Sequence, residues 1–191
     1  MDILKKFIST QIDIDEESEN KFISLATLKN FKKNDFLSKV GEIATNFYII
    51  RSGMVRSYYI DESGKTHIRN LFSRMKTTGD IGALITGNRT KLHYDCLTDC
   101  EIYVINFEKF KDIAKNNHGF SKFYNTMLTK IVLLFESKVY DLSVLNATER
   151  YLKLKKEIPE IENLIPQYHI ASYLNITPVQ LSRIRKEIYS N

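Results

Sequence analysis

The chain has 191 residues, 43% of them hydrophobic and 27% charged, a balance typical of a folded protein and not of a disordered one. Its formal charge of +5 is compatible with a polyanionic partner, but the basic residues are spread along the chain and favour none by themselves. Two cysteines exclude a disulfide framework. Because no apolar run reaches the length of a membrane span and residues 1–11 lack a secretory signal, we expect a cytoplasmic protein with no membrane contact.

The first hundred residues predict two short helices followed by a β-rich region. Residues 1–20 read as one helix and then an acidic cap that opens a second, formed by Asp13, Asp15, Glu16 and Glu17. From 22 to about 107, short runs rich in Phe, Tyr, Ile and Val alternate with turn signals. The clearest hairpin joins Phe47–Arg51 to Met54–Ile60 through Ser52-Gly53. This spacing predicts an antiparallel sandwich, roll or barrel.

A long helix is predicted from Phe120 to Leu145, where few helix breakers occur. It carries two apolar stripes that face roughly 100° apart. The first consists of Phe120, Tyr124, Met127, Ile131 and Leu134. The second, which we call the dimer seam, has the alternating four-three spacing of a coiled coil: Leu128, Val132, Phe135, Val139 and Leu142. One stripe can pack on the β-rich region, and we predict that a second copy of the chain covers the other. The alternative is a helix buried on two sides within a monomer.

A capping box at Asn146–Glu149 ends the long helix and opens another that reaches about Glu157. This boundary divides the chain into a sensor region (1–118), the long helix (119–146) and a C-terminal reader domain (147–191). Pro159–Leu164 is a short link within the reader domain.

The reader domain contains two short amphipathic helices, Pro166–Lys186, hinged at Asn175-Ile176-Thr177. Asn tolerates the left-handed conformation that such a turn requires, Thr177 can cap the second helix, and Pro178 suits its first position. The apolar faces of the two helices form one seam: Ile170, Ala171, Leu174, Leu181, Ile184 and Ile188. These features are typical of a DNA-reading helix-turn-helix.

The second helix of this pair has an outer face that consists of Val179, Ser182, Arg183, Lys186 and Ser190. Arg183 and Lys186 are predicted to meet base edges, because Arg is the commonest bidentate reader of guanine. Gln180 and Arg185 lie on the flanks, where phosphate contacts are expected. The predicted DNA contacts are Gln167, Tyr168, His169, Thr177, Val179, Gln180, Ser182, Arg183, Arg185 and Lys186. The alternative is a helical hairpin whose cations are merely solvated.

The segment from Lys39 to Phe72 resembles the cyclic nucleotide-binding roll of the Crp/Fnr superfamily of transcriptional regulators. The marks are Gly41, Phe47-Tyr48-Ile49-Ile50, Ser52-Gly53-x-Val55-Arg56 and a turn that closes at Gly64. Ala-Ser-Tyr-Leu before the C-terminal turn and Leu-Ser-Arg-Ile-Arg after it are similar to the helix-turn-helix of that family.

This resemblance implies an α+β fold. It predicts an N-terminal antiparallel β-roll of the double-stranded β-helix or jelly-roll type with flanking helices, a long central dimerisation helix and an all-α helix-turn-helix domain. Many family members place a strand hairpin before the helix-turn-helix. Pro159–Leu164 is too short for one, so we expect at most a vestigial wing.

The resemblance also implies a phosphate-binding cassette, in which Gly-Glu-Leu is followed by Arg-Ser-Ala. The Glu takes the ribose hydroxyl, and the Arg and Ser hold the cyclic phosphate. Here the first part falls on Gly79-Asp80-Ile81 and the second on Thr90-Lys91-Leu92, so the acid is shorter and the Arg is absent. Lys is a point charge without the planar fork of Arg, and the neighbouring residue on a strand faces the other way. The expected effector residues are Gly79, Asp80, Ile81, Gly82, Arg89, Thr90 and Lys91. This pattern predicts against cyclic AMP and favours another small anion, or no ligand.

Other chemistry finds little support. Cys96 and Cys100 cannot supply the four thiolates of the iron–sulfur cluster that one branch of the family uses, and we expect them to be small buried residues. Haem ligation by His67 or His93 stays open, although a lone histidine on a β-rich stretch is usually structural. No P-loop, dinucleotide fingerprint or paired zinc-ligand motif occurs, so we predict no metal site and no enzyme.

The sequence thus predicts a homodimeric transcriptional regulator that binds palindromic operator DNA, and the resemblance adds RNA polymerase as a candidate partner. The alternative function is a ligand-binding module that acts through protein partners, with the C-terminal helical hairpin as its docking surface.

Overall fold

The structure, a computed structural model, describes residues 3–11 and 14–190. It begins with helices α1 (Ile3–Gln11) and α2 (Glu16–Leu25). Asp15 caps α2, since its side chain accepts a hydrogen bond from the backbone N–H of Ser18 at 2.8 Å, and this confirms the acidic start predicted for the helix. Asp13, part of the same prediction, lies outside the described residues.

The described residues then form eight strands: β1 (Ala26–Phe31), β2 (Phe36–Ser38), β3 (Asn46–Ser52), β4 (Val55–Ile60), β5 (Thr66–Phe72), β6 (Thr77–Thr78), β7 (His93–Cys96) and β8 (Cys100–Asn106). They pair antiparallel in two four-stranded sheets with the orders β1-β8-β3-β6 and β2-β7-β4-β5. The predicted antiparallel β-roll is confirmed.

The two central strands of the first sheet are buried on both faces. Because side chains alternate along a strand, β3 and β8 send one set of residues between the two sheets and the other set towards the helices. Tyr48, Ile50 and Ile102 lie in the cluster between the sheets, which also contains Cys96 and Cys100. Against the helices lie Phe47, Ile49, Tyr103 and Ile105. The predicted burial of both cysteines is confirmed.

Three more helices follow along the chain: α3 (Ile81–Thr86), which lies between β6 and β7, α4 (Phe107–Asn116) and α5 (His118–Val144). The start of α5 packs on the roll. Phe120 and Phe123 are buried beside Phe22 and Phe110, with ring centroids of Phe22 and Phe123 5.0 Å apart. The predicted long helix is therefore present, and its first turns are anchored by an aromatic cluster.

The second half of α5 leaves the roll. Leu134, the last residue of the first apolar stripe, is 63% exposed, so that stripe packs only in its N-terminal part. In the dimer seam, Leu128 is half-buried, and the other four residues are exposed: Val132, Phe135, Val139 and Leu142. A single chain therefore leaves most of the seam uncovered.

The reader domain has four helices within the described residues: α6 (Ala147–Glu157), α7 (Ile161–Leu164), α8 (Gln167–Tyr173) and α9 (Pro178–Tyr189). The capping box that opens α6 is confirmed, since Asn146 and Glu149 exchange hydrogen bonds of 3.0 and 2.8 Å. After Asn106 the chain up to Ser190 contains no strand, and the short helix α7 occupies the link where a wing would lie.

Two residues of the roll, Met54 and Leu97, are buried in the same apolar cluster as the core of the reader domain. Met54 follows the turn between β3 and β4, where Gly53 has φ +89° and a Cβ would lie 2.4 Å from a backbone oxygen. Leu97 lies in the turn between β7 and β8. The core of the reader domain is thus completed by roll residues that the predicted boundary at 147 did not include.

Candidate nucleic-acid interface

The helix-turn-helix is built as its sequence predicts. Asn175 has a left-handed φ of +56°, and the backbone N–H of Ile176 donates to the carbonyl of Ala171 at 3.0 Å. Ala171 is 1% exposed, because α8 and α9 cross there. Thr177 and Gln180 form a capping box at the start of α9, with hydrogen bonds of 3.2 and 2.8 Å.

The outer face of α9 is open. Val179, Ser182, Arg183 and Lys186 are all exposed. Among the described residues, no hydrogen bond or ion pair reaches the side chains of Arg183 and Lys186. Both predicted base-contacting cations are therefore free to bind a ligand. Thr177 and Gln180 are exposed as well, but their side chains already form the hydrogen bonds of the capping box.

Arg185 is placed differently from Arg183. It is half-buried, and its Nε lies 2.5 Å from Oε1 of Glu162 in α7. The N–H of Arg185 Nε does not point at that oxygen, so the contact is an ion pair without a directed hydrogen bond. The predicted phosphate contact thus already has an internal counter-charge.

The first three residues of α8 differ in their exposure to solvent. Gln167 and Tyr168 are exposed, as a DNA contact requires, but His169 is 8% exposed and turned towards the roll. Its Nδ1 lies 3.3 Å from Arg56, which holds Asp95 with two hydrogen bonds of 2.7 and 2.9 Å. Burial and the Arg56 charge lower the pKa of His169 to about 4, so the imidazole is neutral at physiological pH. In this arrangement His169 contacts the sensor region and not the outer face.

Ser172 is a further contact between α8 and the roll. Its hydroxyl accepts from the backbone N–H of Ile68 and donates to the carbonyl of Thr66, both at 3.0 Å. β5 is an edge strand, and one side chain thereby satisfies a free donor and a free acceptor of its edge. The sequence showed Ser172 only as part of a motif, with no signal for this contact.

Lys138 of α5 completes the junction between roll and reader. Its ammonium lies 4.0 Å from the ring centre of Tyr173 in α8 and donates to the carbonyl of Arg69 in β5. Burial and the nearby Arg69 lower the pKa of Lys138 to about 8. Helices α5 and α8 and strand β5 therefore meet at one lysine, and no carboxylate in the described part of the chain forms an ion pair with it.

In the predicted cassette, the polar side chains bond within the protein. Asp80 is the N-cap of α3, accepting from the backbone N–H of Ala83 at 3.1 Å and from the hydroxyl of Thr90 at 2.6 Å. Thr90 is 2% exposed. Arg89 donates to the carbonyl of Gly41 at 2.6 Å, and Lys91 is exposed.

A second tripeptide at the start of α3 has the Gly and Leu of the Gly-Glu-Leu pattern. Gly82-Ala83-Leu84 lies inside α3, and alanine stands where the pattern has its acid. With either alignment, no full-length acid is available for a ribose hydroxyl.

A cavity of about 110 Å³ lies beside the cassette. Its polar lining includes Glu42, Asn46, Tyr48 and Asp80, and among the described residues no Lys, Arg or His lines it. Ligand pockets usually enclose about 300–1,000 Å³. The cavity is smaller than that, and a phosphate placed in it would face two carboxylates.

The described part of the chain contains no group of three or more His, Cys, Asp or Glu residues that could hold a metal ion. His67 pairs with Asp61 at 2.6 Å, and the ring of His93 stacks on Tyr58, so both histidines have protein partners. No helix within these residues is long and apolar enough to span a membrane.

The chain is similar in sequence and fold to known proteins. The profile of the cyclic nucleotide-binding domain family matches residues 28–117. The anaerobic regulatory protein of Bacillus subtilis (strain 168) is 28% identical over 123 residues, which are 62% of this chain and 50% of that protein. The cAMP-activated global transcriptional regulator CRP of Haemophilus influenzae is 23% identical over 129 residues, 68% of this chain and 58% of that protein. The chain thus spans about half the length of the curated relatives it matches.

Among solved structures, FixK2 from Bradyrhizobium japonicum superposes with a TM-score of 0.72, covering 86% of this chain and 85% of its own at 18% identity. Agreement at that identity concerns the fold, and it includes both the roll and the helical C-terminal region.

Proposed function

We propose that this protein is a DNA-binding transcriptional regulator of the Crp/Fnr type. The premise is the match of residues 28–117 to the cyclic nucleotide-binding domain family, together with the likeness of the chain to known regulators. In this proposal α9 enters the major groove, with Arg183 on a guanine edge and Lys186 beside it. The observation that carries it is the contrast within the reader domain: Lys155 and Arg185 are paired with Glu162, whereas Arg183 and Lys186 are exposed and unpaired within the described chain.

The regulator is proposed to act as a homodimer. The exposed part of the dimer seam is apolar and regular, and a second copy presents the same residues at the same spacing. A two-fold dimer places two recognition helices about 34 Å apart, which matches successive major grooves on one side of a duplex. This geometry predicts a palindromic operator.

The roll is proposed not to hold cyclic AMP. Asp80 and Thr90 already bond to each other, the fork of an Arg is absent, and the neighbouring cavity is small and bounded by carboxylates. The effector is then a different small molecule or is absent altogether, and the first experiment is therefore run without one.

The test is selection of duplexes from a random library by the full-length protein at moderate salt, followed by sequencing. The expected product is an inverted repeat with half-sites about one helical turn apart. Arg183→Ala should weaken binding to that site by ~1–3 kcal/mol and relax the preference at one base pair. Lys109→Ala removes an exposed cation from α4 and should leave the selected sequence unchanged.

The alternative, a module that acts through protein partners, predicts no enrichment in this experiment. A library that stays flat without ligand, and again with cyclic nucleotides and other small anions added, would contradict the DNA-binding proposal.

A further inference from the structure

Glu162, in the short helix α7, gathers four side chains around one carboxylate. Its Oε1 accepts a hydrogen bond from Tyr151 at 2.6 Å and lies 2.5 Å from Arg185 Nε. Its Oε2 accepts from Tyr189 at 2.9 Å and from Lys155 at 2.7 Å. Tyr151 and Lys155 belong to α6, and the other two belong to α9. One carboxylate therefore ties the last two turns of the recognition helix to the opposite side of the reader domain.

The carboxylate is held in its ionised form. Its side chain is only 14% exposed, and burial alone would raise the pKa of Glu162. The hydrogen bonds from Lys155, Tyr151 and Tyr189 and the charge of Arg185 outweigh burial and lower that pKa to about 2. Hydrogen bonds to an ionised acceptor are shorter and stronger than those between neutral groups. We therefore expect these hydrogen bonds to join α7 to α6 and α9 more strongly than exposed surface contacts would.

The same carboxylate neutralises one of the three cations of α9. Arg183 and Lys186 lie on the outer face, while Arg185 points back towards α7 with its side chain 27% exposed. Because that ion pair lacks a directed hydrogen bond, the charge of Glu162 is what holds Arg185. Removal of this charge is therefore expected to weaken the hold on the guanidinium.

We propose that Glu162 is a positioning residue for DNA recognition: it braces the C-terminal end of α9 and withholds Arg185 from the phosphate backbone. This inference rests on the proposed DNA-binding function. Within residues 107–190 no strand is present to support α9; besides the apolar core that Ile161 of α7 shares with α9, Glu162 joins the two helices through polar contacts. The consequence is that base contacts, rather than total charge, dominate the affinity.

The experiment compares Glu162→Gln with Glu160→Gln in the full-length protein. Both substitutions remove one negative charge, but Glu160 is exposed and its side chain makes no capping hydrogen bond. In E162Q, the freed Arg185 should reach a phosphate. The slope of log K against log salt should then steepen by about 0.9 per protomer. Affinity for random duplex should rise severalfold, so the ratio of specific to non-specific binding should fall. E160Q should behave as wild type.

Arg185→Ala, made in the wild-type and in the E162Q background, completes a double-mutant cycle. In the wild-type background it should leave the salt slope unchanged, because Arg185 is not on a phosphate. In the E162Q background it should return the slope to the wild-type value. If Arg185→Ala alone flattens the slope by about 0.9, or if E162Q and E160Q give equal slopes and equal specificity ratios, the proposal is wrong.

Two further measurements keep the test decisive. If E162Q does not fold, as judged by circular dichroism, Tyr189→Phe removes one hydrogen bond from the same carboxylate without neutralising it. It should lower the specificity ratio with no change in salt slope, and an unchanged ratio contradicts the bracing role. If the wild-type protein selects no duplex at all, the proposed function fails, which is a different result from equal behaviour of two DNA-binding variants.

Discussion

Two helices of this molecule would each be expected to meet an anion: α3 in the cassette and α9 in the reader domain. Both begin with a side chain that caps the helix, Asp80 in α3 and Thr177 in α9. Beyond the cap they differ. Around α3, the side chains of Asp80 and Thr90 bond to each other and Arg89 donates one hydrogen bond to Gly41, while Lys91 is exposed. On the outer face of α9, the cations are exposed and have no partner among the described residues.

The difference concerns how readily each set of side chains could bind a ligand. A polar side chain that is satisfied internally adds to stability, and a ligand must break its bonds before using it. A cation left in solvent is available at little cost. By this criterion we expect the cassette to have a structural role in this chain and the recognition helix to have the binding role proposed above. The following predictions test both halves of that statement, beginning with the largest expected effect.

Loss of the dimer should reduce DNA binding by the reader domain far more than it affects the folding of the roll. Val139→Asp combined with Leu142→Asp places two carboxylates in the seam, at positions that are 64% and 50% exposed in the single chain. In a dimer those carboxylates would be buried opposite like charges, which is strongly unfavourable. We expect a folded monomer by light scattering, and affinity for the palindrome lower by orders of magnitude.

The control for this variant is Lys122→Asp, an exposed position near the start of α5. It should remain dimeric. A dimeric double variant that binds its site normally would show that the seam is not the interface.

The docking of the reader on the roll should depend on pH through His169. Its pKa is lowered to about 4 in the folded protein by burial and by Arg56, against a value of 6.5 in the unfolded chain. The unfolded state therefore binds more protons between these two values. The free energy of unfolding should be highest above pH 6.5 and fall as the pH is lowered towards 4, by about 3 kcal/mol at most.

Urea unfolding across that pH range measures the effect. His169→Gln should flatten the decline, whereas His118→Gln, at an exposed position at the start of α5, should not. An equal decline in wild type and His169→Gln would place the pH dependence elsewhere.

Much of this architecture could be predicted because its signals are local. The roll was indicated by strand-length runs between turns, the start of α6 by a capping box whose two partners lie three residues apart, and the start of α9 by a capping threonine followed by proline. The packing of α8 on α9 was indicated by their shared apolar seam, which includes the small residue Ala171. Each signal depends on a few neighbouring residues.

Contacts between distant segments could not be predicted in this way. Ser172 bonds to Ile68, and Glu162 reaches Arg185, across separations of more than twenty residues. Neither partner has a pattern of its own, and only the folded chain brings them together. The same limit applies to Arg185. Its position on the flank of α9 predicted a contact with a DNA phosphate, whereas the opposite charge beside it is Glu162 of α7.

The smallest expected effect concerns Asp80, which the sequence suggested as a ligand residue. If its role is structural, Asp80→Ala should lower the free energy of unfolding by ~0.5–2 kcal/mol, the usual cost of losing an N-cap. The hydroxyl of Thr90 keeps its contact with the carbonyl of Leu92, which limits the loss. DNA affinity per folded molecule should not change.

Asp80→Asn distinguishes the cap from the charge. Asn caps a helix about as well as Asp, and its amide can donate to the Thr90 hydroxyl in place of the bond that Asp80 accepts, so this variant should retain most of the stability. Arg183→Ala should show the reverse of Asp80→Ala, with DNA affinity lost and stability kept. If Asp80→Asn instead alters DNA binding while urea unfolding stays the same, the charge of Asp80 is coupled to the reader. The cassette would then still be a working sensor for a ligand other than cyclic AMP.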